Sequence, residues 1–140
     1  MTDHPVKIVC IEDDPKTIEL VKLILKREGF EVTGVGNGAD GLRAVEALKP
    51  NLVLLDLMMP DMDGWEVYQS IRANDATKHI PVIILTAKAQ DIDRRLGLNI
   101  AKVNDYVTKP FSPSDLIQAV RKILRVENVG SETTSNDGTS

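Results

Sequence analysis

Two short runs in this chain are apolar at every position: Leu52-Val53-Leu54-Leu55 and Val82-Ile83-Ile84-Leu85. A strand with one wet face alternates apolar and polar residues, so an unbroken run belongs to a strand buried on both faces. Longer stretches with helical periodicity lie around these runs. Strands that alternate with helices favour a parallel sheet covered by helices on both sides. At 140 residues, 42% hydrophobic and 27% charged, the chain is long enough to bury one such core.

The remaining elements follow from local signals. The first strand is Ile8-Val9-Cys10-Ile11. Asp14-Pro15 reads as an N-cap followed by proline at the first helical position. Ile18, Val21 and Leu25 share a helical face, with Leu20 and Ile24 beside it, and Gly29 is the expected stop. A weaker strand is expected over Glu31 to Val35. Asn37 caps a second helix carrying Leu42, Val45 and Leu48, which Pro50 ends. After Asp56, a loop rich in Met, Pro, Asp and Gly leads to a helix from about Trp65 to Ala73. A further helix is expected over roughly Asp91 to Ile100, then a short strand with Tyr106 and Val107 that stops at Lys109-Pro110. Ser112-Pro113-Ser114-Asp115 matches a helix start with an acid three residues after the cap, and Leu116, Ile117, Val120, Ile123 and Leu124 form the apolar side of that helix.

The pattern is five βα units over residues 6–126, preceded by a tail at 1–5. Residues 127–140, rich in Ser, Thr, Asn, Gly and acid, are expected to be a disordered tail, either a natural end or the stub of a linker. A formal net charge of −4 argues against general attraction to nucleic acid or an anionic membrane. No apolar stretch is long enough to span a bilayer and no signal-peptide pattern opens the chain, so a cytoplasmic protein is expected. The single cysteine, Cys10, reads as a buried strand thiol with nothing basic beside it.

The strand tips carry the chemistry. The first strand runs into Glu12-Asp13-Asp14, the third ends at Asp56, the fourth at Thr86-Ala87 and the fifth at Thr108-Lys109-Pro110. Open α/β sheets bind ligands outside the carboxyl ends of their strands, where the strand order reverses. If that reversal lies between strands one and three, Glu12, Asp13 and Asp56 converge. Three clustered carboxylates repel one another, and either a proton or a cation must offset the repulsion. The donors are hard oxygens with no histidine or cysteine nearby in sequence, which favours Mg²⁺, with Mn²⁺ as a substitute, over zinc. Lys109 adds a compact positive charge and Thr86 a hydroxyl. A cation, a lysine and a hydroxyl around a carboxylate suit a phosphoryl group, with Asp56 as nucleophile.

Glu12-Asp13, Asp56 followed by Met59-Pro60 and Asp63-Gly64, Thr86-Ala87 and Lys109-Pro110-Phe111 together resemble the receiver domain of two-component response regulators. The likeness runs from about Val6 to Val126. It implies a flavodoxin-like, doubly wound (βα)5 fold with a five-stranded parallel sheet in the order 2-1-3-4-5, an order for which the chemotaxis receiver is a standing example. It implies that Asp56 accepts a phosphoryl group from a sensor histidine kinase, a phosphotransfer protein or a small phosphodonor. Glu12, Asp13, Asp56 and the backbone carbonyl of Met58 match the metal ligands. Lys109 matches the lysine that pairs with the phosphoryl group, Thr86 and Tyr106 match the switch positions, and the Lys109-Pro110 bond matches a cis peptide. An unknown downstream protein target is implied, and a phosphorylation-dependent dimer is left open. The resemblance also implies a signalling switch whose phosphorylation and dephosphorylation are self-catalysed, not a turnover enzyme.

Two positions depart from the family pattern. Glu12 stands where Asp is also common, and its longer side chain is expected to reach the metal through water. Lys102 stands where many relatives have a glycine supporting a left-handed turn. Met58 and Lys88, two residues after the acceptor and two after the threonine, are expected to gate the water that hydrolyses the aspartyl phosphate. Plainer readings hold elsewhere: Asp14 as a cap, Asp63-Gly64 as a turn into a helix, His4 and His79 as surface residues, Trp65 as packing. A phosphatase with an aspartyl intermediate usually has a second acid two residues after its nucleophile, where this chain has Met58. A partner-binding pseudo-receiver would lack chemical positions that are all filled here. No helix-turn-helix or basic stripe supports direct nucleic-acid binding.

Overall fold

In the computed structural model, which describes residues 5–59, 63–86 and 105–136, five parallel strands form one sheet in the order β2-β1-β3-β4-β5. Residues 126–136, Thr86 and Asp105 are described by backbone alone. The strands are β1 (Lys7–Ile11), β2 (Glu31–Val35), β3 (Leu52–Asp56), β4 (Val82–Thr86) and β5 (Asp105–Thr108). The described helices are α1 (Pro15–Arg27), α2 (Gly38–Leu48), α3 (Gly64–Ala73) and α4 (Pro113–Asn136).

The side-chain alternation of a strand explains why β3 and β4 are apolar throughout. Val9, Ile11, Val53, Leu55, Val82 and Ile84 face one way and pack with Val45 of α2 and with Trp65, Val67, Tyr68 and Ile71 of α3. Ile8, Cys10, Leu52, Leu54, Ile83 and Leu85 face the other way, against Val21, Ile24 and Leu25 of α1 and Leu116, Val120 and Ile123 of α4. Cys10 is buried, and its thiol is pushed up to about 12 by burial first and the Glu12 charge second, which makes it an inert core residue.

Caps place the helices where the sequence puts them. Asp14 accepts the Lys16 N–H at 3.1 Å, Asn37 the Asp40 N–H at 2.8 Å and Asp63 the Trp65 N–H at 3.0 Å. Ser112 and Asp115 bond reciprocally, the Asp115 N–H to Ser112 Oγ at 3.0 Å and the Ser112 N–H to Asp115 Oδ2 at 3.4 Å, a capping box. Gly29, at φ 88, ends α1 by sending its N–H to Lys26 O and the Phe30 N–H to Leu25 O, the paired bonds of a Schellman motif.

Three features lie beyond the sequence reading. Lys49 closes α2 in the left-handed conformation, φ 46, a site that ordinarily takes Gly or Asn. Gly64, expected to lie in the turn before α3, is its first residue. The α4 backbone stays helical to Asn136, past the Val126 boundary, because propagating a formed helix needs only one new hydrogen bond per residue. The expected helix at 91–100, Lys88, Lys102, Pro60 and Ala87 lie outside the described residues.

Candidate functional site

The parallel register brings the strand tips to one edge of the molecule. Ile11 lies beside Leu55, Asp56 beside Leu85, and Thr86 beside Thr108, so β1, β3, β4 and β5 end together. The order reverses between β1 and β3, the crevice in which such sheets bind ligands. There Glu12, Asp13 and Asp56 each present a carboxylate oxygen, all within 4.8 Å of one another. Glu12 and Asp56 are buried, whereas Asp13 is exposed.

Each buried carboxylate is held by backbone. Glu12 Oε2 accepts the Asp14 N–H at 3.1 Å, and Asp56 Oδ1 accepts the Met58 N–H at 3.1 Å. Lys109 arrives from the end of β5 just before Pro110, and the Lys109-Pro110 bond is cis. Its ammonium lies 2.5 Å from Glu12 Oε1 and 3.5 Å from Asp56 Oδ2.

Burial and the charges around Lys109 set the protonation of this cluster. Burial raises the Glu12 carboxyl from 4.5 to about 7, although the Lys109 hydrogen bond and the Asp14 N–H pull it down. Burial lowers the Lys109 ammonium, but the Glu12 hydrogen bond and the Asp56 and Glu12 charges more than reverse that, and its net shift is upward. Glu12 holds its proton more tightly because burial outweighs the Lys109 bond, and Lys109 holds its own because the Glu12 and Asp56 carboxylates outweigh its burial. The all-oxygen donor set of Glu12, Asp13 and Asp56 is one that fits Mg²⁺.

Of the expected site residues, the structure brings together Glu12, Asp13, Asp56 and Lys109. Met58 sits two residues beyond the acceptor with its side chain half exposed. The Thr86 backbone ends β4 on the same edge. Tyr106 is exposed on β5, where it lines a cavity of about 340 Å³ with Thr108, Asp115 and Gln118. Lys88 lies outside the described residues.

Two structural relations escaped the sequence. The Glu12–Lys109 pair joins residues 97 apart in the chain, and no local signal marks it. Gly64 is pressed against the acceptor strand: a Cβ there would lie 2.5 Å from Asp56 O and 2.5 Å from Leu57 Cα, and its N–H bonds Leu57 O at 3.2 Å. The Asp63-Gly64 pair hints at a turn, but only the fold shows what the glycine touches.

The sequence pattern of the response regulator receiver domain matches residues 8–121. The chain belongs to the response-regulator receiver family. It is 42% identical over 119 residues to the DNA-binding response regulator MtrA of Mycolicibacterium smegmatis, covering 85% of this chain and 50% of that protein. It is 37% identical over 131 residues to the sensory transduction protein RegX3 of the same species, covering 94% of this chain and 56% of that one. The chain thus spans about half the length of the curated relatives it matches. Among solved structures, it matches a CheY-like receiver domain protein of Methanospirillum hungatei with TM-score 0.80 and 28% identity, covering 89% of this chain and 98% of that one. The receiver domain of the sensor histidine kinase PA1611 of Pseudomonas aeruginosa, solved with a magnesium ion in its active-site cleft, matches with TM-score 0.78 and 30% identity, covering 86% of this chain and 98% of that one. Receiver domains of two-component response regulators are signalling switches and are generally not classed as enzymes. No helix among the described residues is long and apolar enough to cross a membrane.

Proposed function

We propose that Asp56 is the phosphoryl acceptor of this receiver and that Glu12, Asp13, Asp56 and the Met58 carbonyl hold the Mg²⁺ the reaction needs. The observation that carries this reading is a buried carboxylate at the topological switch point, grouped with two further acids and 3.5 Å from a lysine. Asp56 Oδ2, on the lysine side, attacks phosphorus. The bond from phosphorus to the donor nitrogen breaks, and its electron pair leaves with the donor imidazole of a histidine kinase or phosphotransfer protein. A divalent cation held by Glu12, Asp13, Asp56 and the Met58 carbonyl would offset the charge on the phosphoryl oxygens. The Met58 N–H fixes the carboxylate through Oδ1 and leaves Oδ2 toward Lys109. Lys109 then pairs with the transferred group, Thr86 offers its hydroxyl, and Tyr106 on β5 relays the change to a partner-binding surface.

The setting is a cytoplasmic phosphorelay. MtrA, a response regulator named as DNA-binding, is matched over 50% of its length, which leaves room in such relatives for an output function beyond the receiver. Residues 6–126 form the receiver domain, and the helical segment beyond Val126 is a connector. The test is acetyl phosphate labelling with intact-mass detection. The parent gains one phosphoryl group with Mg²⁺ and none with EDTA, and Asp56→Asn gains none. Undiminished labelling of Asp56→Asn defeats the assignment.

A further inference from the structure

Lys109 pairs with both Glu12 and the acceptor, and Glu12 is the closer partner. Nζ to Glu12 Oε1 is 2.5 Å, whereas Nζ to Asp56 Oδ2 is 3.5 Å, longer than a charge-assisted hydrogen bond. Glu12 is well placed to hold the lysine. Its carboxylate is buried and its other oxygen is fixed by the Asp14 N–H. The length of the side chain decides the contact: an aspartate at this position would withdraw the carboxylate by roughly 1.5 Å, one carbon–carbon bond, and lose it. Yet Glu12 is also one of the three acids whose oxygens cluster within 4.8 Å. The lysine and a cation therefore compete for the same carboxylate.

We infer that Glu12 is a positioning residue that draws Lys109 to itself, keeping the lysine's ion pair with Asp56 long, and gives it up toward Asp56 on turning to a divalent cation. The inference rests on the metal reading above and adds an order to it: cation binding and delivery of the lysine are one coupled event. A domain with aspartate at position 12 keeps the charge count but loses the coupling, because its lysine already leans on Asp56.

A double-mutant cycle in Mg²⁺ affinity, read from amide NMR shifts around Asp56 without any phosphodonor, tests this. Lys109→Met removes the competitor and tightens Mg²⁺ binding by about tenfold in the parent but by less than about threefold in Glu12→Asp. The Lys109 ammonium ¹⁵N signal of the metal-free domain also moves on Glu12→Asp. Equal tightening in both backgrounds, or an unmoved ammonium signal, overturns the inference and leaves Asp56 as acceptor intact. Absence of saturable Mg²⁺ binding by the parent overturns the metal reading and this inference together.

Discussion

Replacing Gly64 by alanine puts a methyl group where the end of the acceptor strand already stands. The added Cβ would lie 2.5 Å from both Asp56 O and Leu57 Cα, about 1 Å inside ordinary contact between carbons. The opposing atoms are backbone, so no rotamer change relieves the clash. Either α3 lifts or the Asp56–Leu57 backbone shifts. Overpacking of this kind costs about 1–3 kcal/mol, and the rigidity of the neighbour puts this case near the upper end. Alanine recovers at most about 1 kcal/mol through its better helix propensity. The net loss is about 2 kcal/mol, which lowers the melting temperature by about 8 °C in a domain of this size. Function should suffer beyond stability, because a displacement of about 1 Å at a reacting group costs up to about 100-fold in rate. The assay pairs thermal unfolding with the acetyl phosphate reaction, using Gly36→Ala as control, since a Cβ at Gly36 meets nothing within 4 Å. Gly36→Ala should melt within about 0.5 kcal/mol of the parent. If Gly64→Ala melts with the parent and is phosphorylated at the parental rate, the argument from this close approach is wrong.

Other outcomes follow from single residues. Glu12 binds its proton more tightly in the folded state, so its contribution to stability is complete below 4.5 and is lost as pH rises through about 7. Melting curves of the metal-free domain should therefore fall across that window, flatten in Glu12→Gln and recover with Mg²⁺; a Glu12→Gln profile that parallels the parent contradicts this. Lys49→Gly should stabilise by about 1 kcal/mol in urea unfolding by relieving the left-handed φ of 46, and no gain would place the strain elsewhere. Met58 is half exposed near the acceptor and offers a water only a weak thioether acceptor, and a lysine such as Lys88 offers none. Met58→Asn with Lys88→Glu should shorten the phosphoryl lifetime by about tenfold, a barrier change of about 1.4 kcal/mol, after removal of the donor. An unchanged lifetime would show that these side chains do not gate the water.

What was legible in the sequence depended on how local its cause is. The caps at Asp14, Asn37 and Ser112 are decided within three residues, and the structure places them as read. The burial of β3 and β4 is written in their unbroken apolar runs. Asp56 could be singled out because it terminates such a run. The Glu12–Lys109 contact was not legible, because it depends on β1 and β5 ending on the same edge and on a side-chain reach that residue types alone do not fix. Lys49 was missed for the opposite reason: the left-handed C-cap that closes α2 ordinarily takes Gly or Asn, so a lysine there gives no local signal. Glu12 itself was read as a ligand reaching metal through water, and its pairing with the lysine emerges only from the folded geometry.

The central claim is that one carboxylate of this receiver carries the phosphoryl group. The most direct measurement is site mapping: the domain is treated with acetyl phosphate and Mg²⁺, trapped by borohydride reduction, digested and sequenced by mass spectrometry. Asp56 should be converted to homoserine in the treated sample and remain aspartate when Mg²⁺ is withheld. Conversion at Asp13 or any other residue, with Asp56 intact, would contradict the account.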